Sequence, residues 1–155
     1  MRLSEATGDR RYAELARFFL GQRGQRHDIE PYPDGPFAVY NERDYRQDHL
    51  PVVEQDRAVG HAVRATYMYA GMADVAALFQ PPGYRAALER LHADLISKRL
   101  YVTGGIGARS GTESFGDDYE LPNGRAYTET CAAIGLERWA VRMFRLTGES
   151  HYLDL

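Results

Sequence analysis

The sequence predicts an all-α fold of helical hairpins, on three observations. Apolar residues recur at helical spacing in four long segments, little of the chain alternates with period two, and a Thr-Gly-acidic pattern occurs near each end. The first copy is Thr7-Gly8-Asp9 followed by Tyr12 and Leu15; the second is Thr147-Gly148-Glu149 followed by Tyr152 and Leu155. In each, glycine ends one helix in a left-handed turn and the acidic or hydroxyl residue beyond it caps the next. Both ends therefore read as lying inside hairpins, and residues 1–155 as one piece of a longer helical domain, truncated at both ends.

The elements follow in order. Residues from about Arg10 to Arg23 carry Tyr12, Leu15, Ala16, Phe19 and Leu20 on one face, which should pack, and stop at Gly24. From Gln25 to Pro51 the chain holds Pro31, Pro33, Gly35 and Pro36 and cannot be continuous helix. Val52 to Phe79 is apolar almost all round, the signature of a helix buried between layers. Pro81-Pro82-Gly83 stops it. Tyr84 to Leu100 then forms a helix with Leu88, Leu91, Leu95 and Ile96 as its inner stripe, and Thr128 to Leu146 another with Ala132, Leu136, Trp139, Ala140, Met143 and Phe144.

Composition narrows the function. At 155 residues, 44% hydrophobic and 26% charged, the chain matches a soluble domain with one core. A net charge of −3 gives no general field for nucleic acid. No window reaches the roughly 18 apolar residues of a membrane span. No apolar stretch follows Met1-Arg2-Leu3-Ser4-Glu5, so a cytoplasmic address is expected. Lys98 is the only lysine, a coding bias before it is guanidinium chemistry. Cys131 is the only cysteine, which points to metal or acid/base chemistry and not to a disulfide.

The informative segment is the loop at 101–126, with glycines at 104, 105, 107, 111, 116 and 124. Such density implies tight turns and a backbone that something approaches closely. It is no phosphate loop: Ser110 stands where a third fingerprint glycine would be, no Gly-Lys-Ser/Thr follows and no strand precedes it. The acidic run Asp117-Asp118-Tyr119-Glu120 lacks the spacing of a calcium-binding EF-hand. Within the loop Glu113 is either a solvated carboxylate or a general acid or base, whose proton affinity Phe115 and Tyr119 would raise if they surround it. Glu129 and Cys131 can share a metal only at the mouth of a helix, where Thr128 as N-cap would put them; otherwise Cys131 is a small buried thiol. His61, next to Gly60 on the apolar helix, is either a satisfied core histidine or a group facing a polar cavity, and Gly60 would admit a ligand or neighbouring backbone.

Taken together, Gly60-His61-Ala62-Val63-Arg64-Ala65, Tyr101-Val102-Thr103-Gly104-Gly105-Ile106-Gly107, Glu113, Asp118-Tyr119-Glu120-Leu121-Pro122-Asn123 and Thr128-Glu129-Thr130-Cys131-Ala132 resemble, in order and spacing, glycoside hydrolase family 127, the β-L-arabinofuranosidases. The resemblance runs over most of the chain and is strongest from Val52 to Leu146. It implies an (α/α)6 barrel of which this chain supplies consecutive hairpins, a partial toroid. It implies Glu113 as general acid/base, Glu129 and Cys131 as zinc ligands, His61 as a residue lining the sugar pocket, and an arabinose-containing carbohydrate as substrate. In the family the nucleophile is a zinc-bound cysteine from a Cys-Cys pair that this chain does not contain. The chain alone is therefore expected to be inactive and to bind zinc weakly, and the whole protein to be a retaining glycosidase. The competing readings are another α/α-toroid sugar enzyme, an epimerase or an unsaturated-glycoside hydrolase, and a non-catalytic helical carbohydrate-binding module.

Overall fold

A computed structural model describes residues 1–25 and 31–154; His27 and part of the irregular connection lie outside the described residues. The fold is all-α. Its helices are α1 (Arg2–Thr7), α2 (Arg11–Gly21), α3 (Ala62–Phe79), α4 (Tyr84–Lys98) and α5 (Thr130–Thr147), with short 3-10 segments at Ala38–Asn41 and Ser150–Leu153. Isolated bridges, His61 with Ser114, Leu100 with Ile106 and Arg109 with Ser114, are the only extended pairings among the described residues.

The glycine turns form as the sequence requires. Gly8 and Gly148 end α1 and α5 at φ 70° and 78°, and Asp9 Oδ1 accepts the backbone N–H of Arg11 at 2.9 Å as α2 begins. The pairs α1–α2 and α3–α4 are successive hairpins of a partial α/α toroid, and α5 packs along α3. The core lies where α3, α4 and α5 meet: Tyr69 and Trp139 rings stand 4.8 Å apart, and Leu88, Leu91, Leu95 and Met143 are fully buried. Arg142 Nε ties α5 to Asp74 Oδ1 of α3 at 2.9 Å.

Two expectations fail. The long apolar segment is helical only from Ala62; residues 52–61 are irregular because Gly60 takes φ 70° and His61 is extended at ψ 119°. Ala58 is fully buried there, its N–H donating to Asp94 Oδ2 of α4 at 2.8 Å, so apolar character marked burial and not helix. On α2 the expected packing face holds only in part: Leu20 is buried and Ala16 lies against the core, but Tyr12, Leu15 and Phe19 stay largely in solvent, because α2 rests only on α1 and α3.

Candidate active site

His61 is placed by its backbone. Gly60 lies so close to the neighbouring chain that a Cβ on it would stand 2.6 Å from Tyr45 Cα, which leaves glycine alone to make the turn. The approach that Gly60 admits is therefore that of backbone, not ligand. His61 N–H donates to Tyr45 O at 3.2 Å, and the buried Gln47 amide donates to Tyr45 O (3.0 Å), Val59 O (3.0 Å) and His61 O (3.3 Å). The imidazole meets the Tyr45 ring edge-on at 5.7 Å.

The glycine-rich loop is stitched to this segment. Ala62 N–H donates to Glu113 O at 3.1 Å and Phe115 N–H to Gly60 O at 3.0 Å, while Ser114 exchanges backbone bonds with Arg109 at 3.1–3.2 Å. Glu113, between these fixed neighbours, takes φ 53°, a left-handed conformation unusual for a non-glycine residue. Its strain is held by the surrounding bonds and aims the side chain at His61, whose Nε2 lies 3.0 Å from Glu113 Oε2. The acidic run closes the loop's far side. Glu120 is bound by Arg109, which holds its carboxyl down at about 2, and the buried Arg99 donates to Asp94 Oδ2 (2.8 Å), Gly116 O (2.6 Å) and Asp118 Oδ1 (2.7 Å). Lys98 first, with Arg57 and Arg99, holds the Asp118 carboxyl below the ordinary range.

The entry to α5 completes the site. Gly107, at φ 101°, sits against the chain so closely that a Cβ would lie 2.6 Å from Tyr127 O. Tyr127 is thereby held beside the loop, and its hydroxyl donates to Glu113 Oε1 at 3.3 Å. The Glu113 charge is the main cause that raises the Tyr127 pKa and keeps that hydroxyl a donor. The aromatic partner of Glu113 is thus Tyr127. Phe115 is buried, while Tyr119 is 68% exposed and so does not enclose Glu113 as expected. The signal was present in Tyr127-Thr128-Glu129, but nothing in the spacing says that the ring folds back on Glu113.

Glu129, not Thr128, is the N-cap residue of α5, at φ −71° and ψ 147°, and its carboxylate makes no capping bond to the helix. One ligand atom from each of His61, Glu113 and Glu129 lies within 4.8 Å of the others, the only three-ligand group of this kind among the described residues. Cys131 follows in the first turn with its side chain exposed, outside that group. The structure therefore brings His61, Glu113 and Glu129 together and leaves Cys131 at their rim. The Glu113 side chain is 44% exposed and the His61 side chain 13%, so the carboxylate faces an opening and the imidazole backs it. Such a carboxylate, with one oxygen accepting the Tyr127 hydroxyl and the other 3.0 Å from the His61 imidazole, has a set orientation for proton transfer. Among the described residues no helix is long and apolar enough to cross a membrane.

Residues 1–155 match the sequence family described as "Beta-L-arabinofuranosidase, GH127 catalytic domain". The non-reducing end β-L-arabinofuranosidase of Bifidobacterium longum subsp. longum is 34% identical over 164 residues, covering 99% of this chain and 25% of that protein. Among solved structures, a GH127 β-L-arabinofuranosidase from Geobacillus stearothermophilus T6 superposes with a TM-score of 0.87 at 40% identity, over 98% of this chain and 25% of the other. A GH127 β-arabinofuranosidase gives a TM-score of 0.83 at 48% identity, over 99% of this chain and 22% of the other. The chain thus spans about a quarter of the length of these relatives.

Proposed function

The chain belongs to the glycoside hydrolase family 127 catalytic domains, and from that membership we propose that it supplies the acid/base part of an enzyme that hydrolyses β-L-arabinofuranosides with retention. The observation that carries this reading is Glu113, held in a left-handed turn with Oε2 3.0 Å from His61 Nε2 and Oε1 3.3 Å from the Tyr127 hydroxyl. In its protonated form Glu113 gives its proton to the glycosidic oxygen as the C–O bond breaks, so the leaving group departs as a neutral alcohol. As the C–O bond breaks the nucleophile bonds to the anomeric carbon; as carboxylate Glu113 then takes a proton from water, whose oxygen displaces that nucleophile and returns the sugar. His61 and Tyr127 fix which lone pair faces the substrate, and His61 lines the sugar pocket at the same point. The attacking group comes from outside residues 1–155.

The donor set suits zinc. Glu129 offers a carboxylate free of any cap bond and Cys131 an exposed thiol two residues on, both ligand types that zinc takes. A structural or catalytic zinc site wants three or four protein ligands, so these two need completion from the rest of the polypeptide. Zinc, when bound, would keep a cysteine sulfur deprotonated and oriented. The test is an assay of the full-length polypeptide with aryl β-L-arabinofuranoside: release of the phenol supports the reading, and no release from this or related furanosides overturns it.

A further inference from the structure

The connection between α2 and α3 carries a run of aromatic rings that the Glu113 chemistry does not use. Tyr32 and Tyr40 rings lie 5.3 Å apart, and Phe37 stacks on Tyr40 at 6.0 Å with planes 16° apart. Tyr40 meets Tyr45 edge-on at 5.2 Å, and Tyr45 in turn meets His61. The run begins in solvent, with Tyr32 49% and Phe37 58% exposed, and ends beside the acid/base, with Tyr45 buried.

These exposed rings are held in place. Asn41 Oδ1 accepts the Tyr32 N–H at 2.8 Å and its Nδ2 donates to the Tyr32 carbonyl at 3.0 Å. Phe37 is the N-cap residue of the Ala38–Asn41 turn and accepts the Tyr40 N–H at 3.0 Å. Pro31 and Pro33 fix the backbone on either side of Tyr32. Each ring keeps about half of its surface bare while its backbone is tied down, so the arrangement is pre-organised for something that covers them. The surroundings say what. The Arg64 guanidinium lies 5.3 Å and 5.5 Å from the Tyr40 and Tyr45 ring centroids, and a cleft of about 410 Å³ beside the ridge is lined by Glu42, Asp44, Tyr45 and Ser114. Aromatic faces next to charged and hydroxyl groups suit a ring with a C–H face and hydroxyl edges, and the cleft is within the size range of a small-molecule site.

We infer that the ridge of Tyr32, Phe37 and Tyr40 carries a second saccharide unit of the substrate, next to the sugar whose glycosidic oxygen Glu113 protonates; this rests on the glycosidase reading above. The C–H face of that unit lies on the exposed rings of Tyr32 and Phe37, and its hydroxyls reach Glu42 and Asp44 of the cleft. The test uses the full-length polypeptide and two substrates, methyl β-L-arabinofuranoside and a β-L-arabinofuranosyl disaccharide. Tyr32→Ala and Phe37→Ala are each expected to raise KM for the disaccharide about tenfold with kcat kept and the methyl glycoside unaffected, while Phe37→Trp retains affinity. Unchanged KM for the disaccharide, or equal changes for both substrates, overturns the inference. So does a lowered Tm without a substrate-selective effect, which would mark the ridge as the seat of another stretch of protein. Calorimetric titration of the Glu113→Gln protein with the disaccharide separates the two claims. If the wild type cleaves nothing but the ridge variants lose binding, the glycosidase reading fails alone. If the wild type cleaves the disaccharide and the ridge variants bind it normally, this inference fails alone.

Discussion

Replacing Arg99 by Met removes the guanidinium that fastens the glycine-rich loop to α4. The side chain is 3% exposed and donates to Asp94, Asp118 and the Gly116 carbonyl. Its loss leaves Asp94, 5% exposed, with the Ala58 N–H at 2.8 Å and Lys98 Nζ at 3.3 Å from Oδ1, an ion pair without hydrogen-bond alignment. Breaking a buried pair from one side costs about 3–5 kcal/mol, because a charge stays behind without compensation. Lys98 retains part of that compensation, which puts the expected loss at the lower end, about 3 kcal/mol, a sizeable share of the ~5–15 kcal/mol of a typical domain. Urea unfolding followed by Trp139 fluorescence measures it. The double variant Asp94→Asn with Arg99→Met keeps an acceptor for Ala58 while removing both charges, and is expected to regain at least about half of the loss. A loss below about 1 kcal/mol in the single variant, or a double variant no more stable than the single, refutes the argument.

Three further outcomes are expected. Gly60→Ala forces a methyl group against Tyr45 backbone at a positive φ, so it should destabilise by about 2 kcal/mol or more and displace His61, read as a Tm drop together with lost activity. Burial pushes the His92 pKa down to about 4, whereas an unfolded histidine titrates near 6.5. The unfolded chain therefore binds the extra proton first: stability from this group is complete above pH 6.5 and falls by about 3 kcal/mol as pH drops through 4, and a His92→Phe variant should flatten that limb of the stability curve. Zinc titrated into residues 1–155 alone should bind weakly through Glu129 and Cys131, because His61 and Glu113 of the three-ligand group pair with each other, and tight one-to-one binding by calorimetry would contradict that account.

Much of the fold was legible because helix periodicity and glycine stops are local. Leu88, Leu91 and Leu95, and Leu136, Trp139 and Met143, are buried as their spacing requires. The N-terminal part of the long apolar segment was misread because Val52 and Ala58 are buried outside any helix, Ala58 by its contact with Asp94 of α4, and not by helical repetition. In the site, Glu113, His61 and Glu129 were each singled out as candidates from residue type and motif, and the structure brings the three together. Their convergence was not legible in the sequence, since it depends on Gly60 and Gly107 letting three backbone segments touch. Tyr127 and Arg99 escaped for the same reason: both act through partners distant in sequence. The position of Cys131 beyond the three-ligand group is likewise a matter of helix phase, since Glu129 stands at the N-cap and Cys131 in the first turn.

The role of Glu113 is tested most directly by Glu113→Gln in the full-length polypeptide, comparing a dinitrophenyl with a methyl β-L-arabinofuranoside. A positioned acid contributes about 10²–10⁴-fold, and only where the leaving group needs a proton. The account predicts a loss in that range for cleavage of the methyl glycoside and a far smaller loss in the first, bond-breaking step with the dinitrophenyl glycoside. Equal losses for both, or wild-type rates for the methyl glycoside, would contradict it.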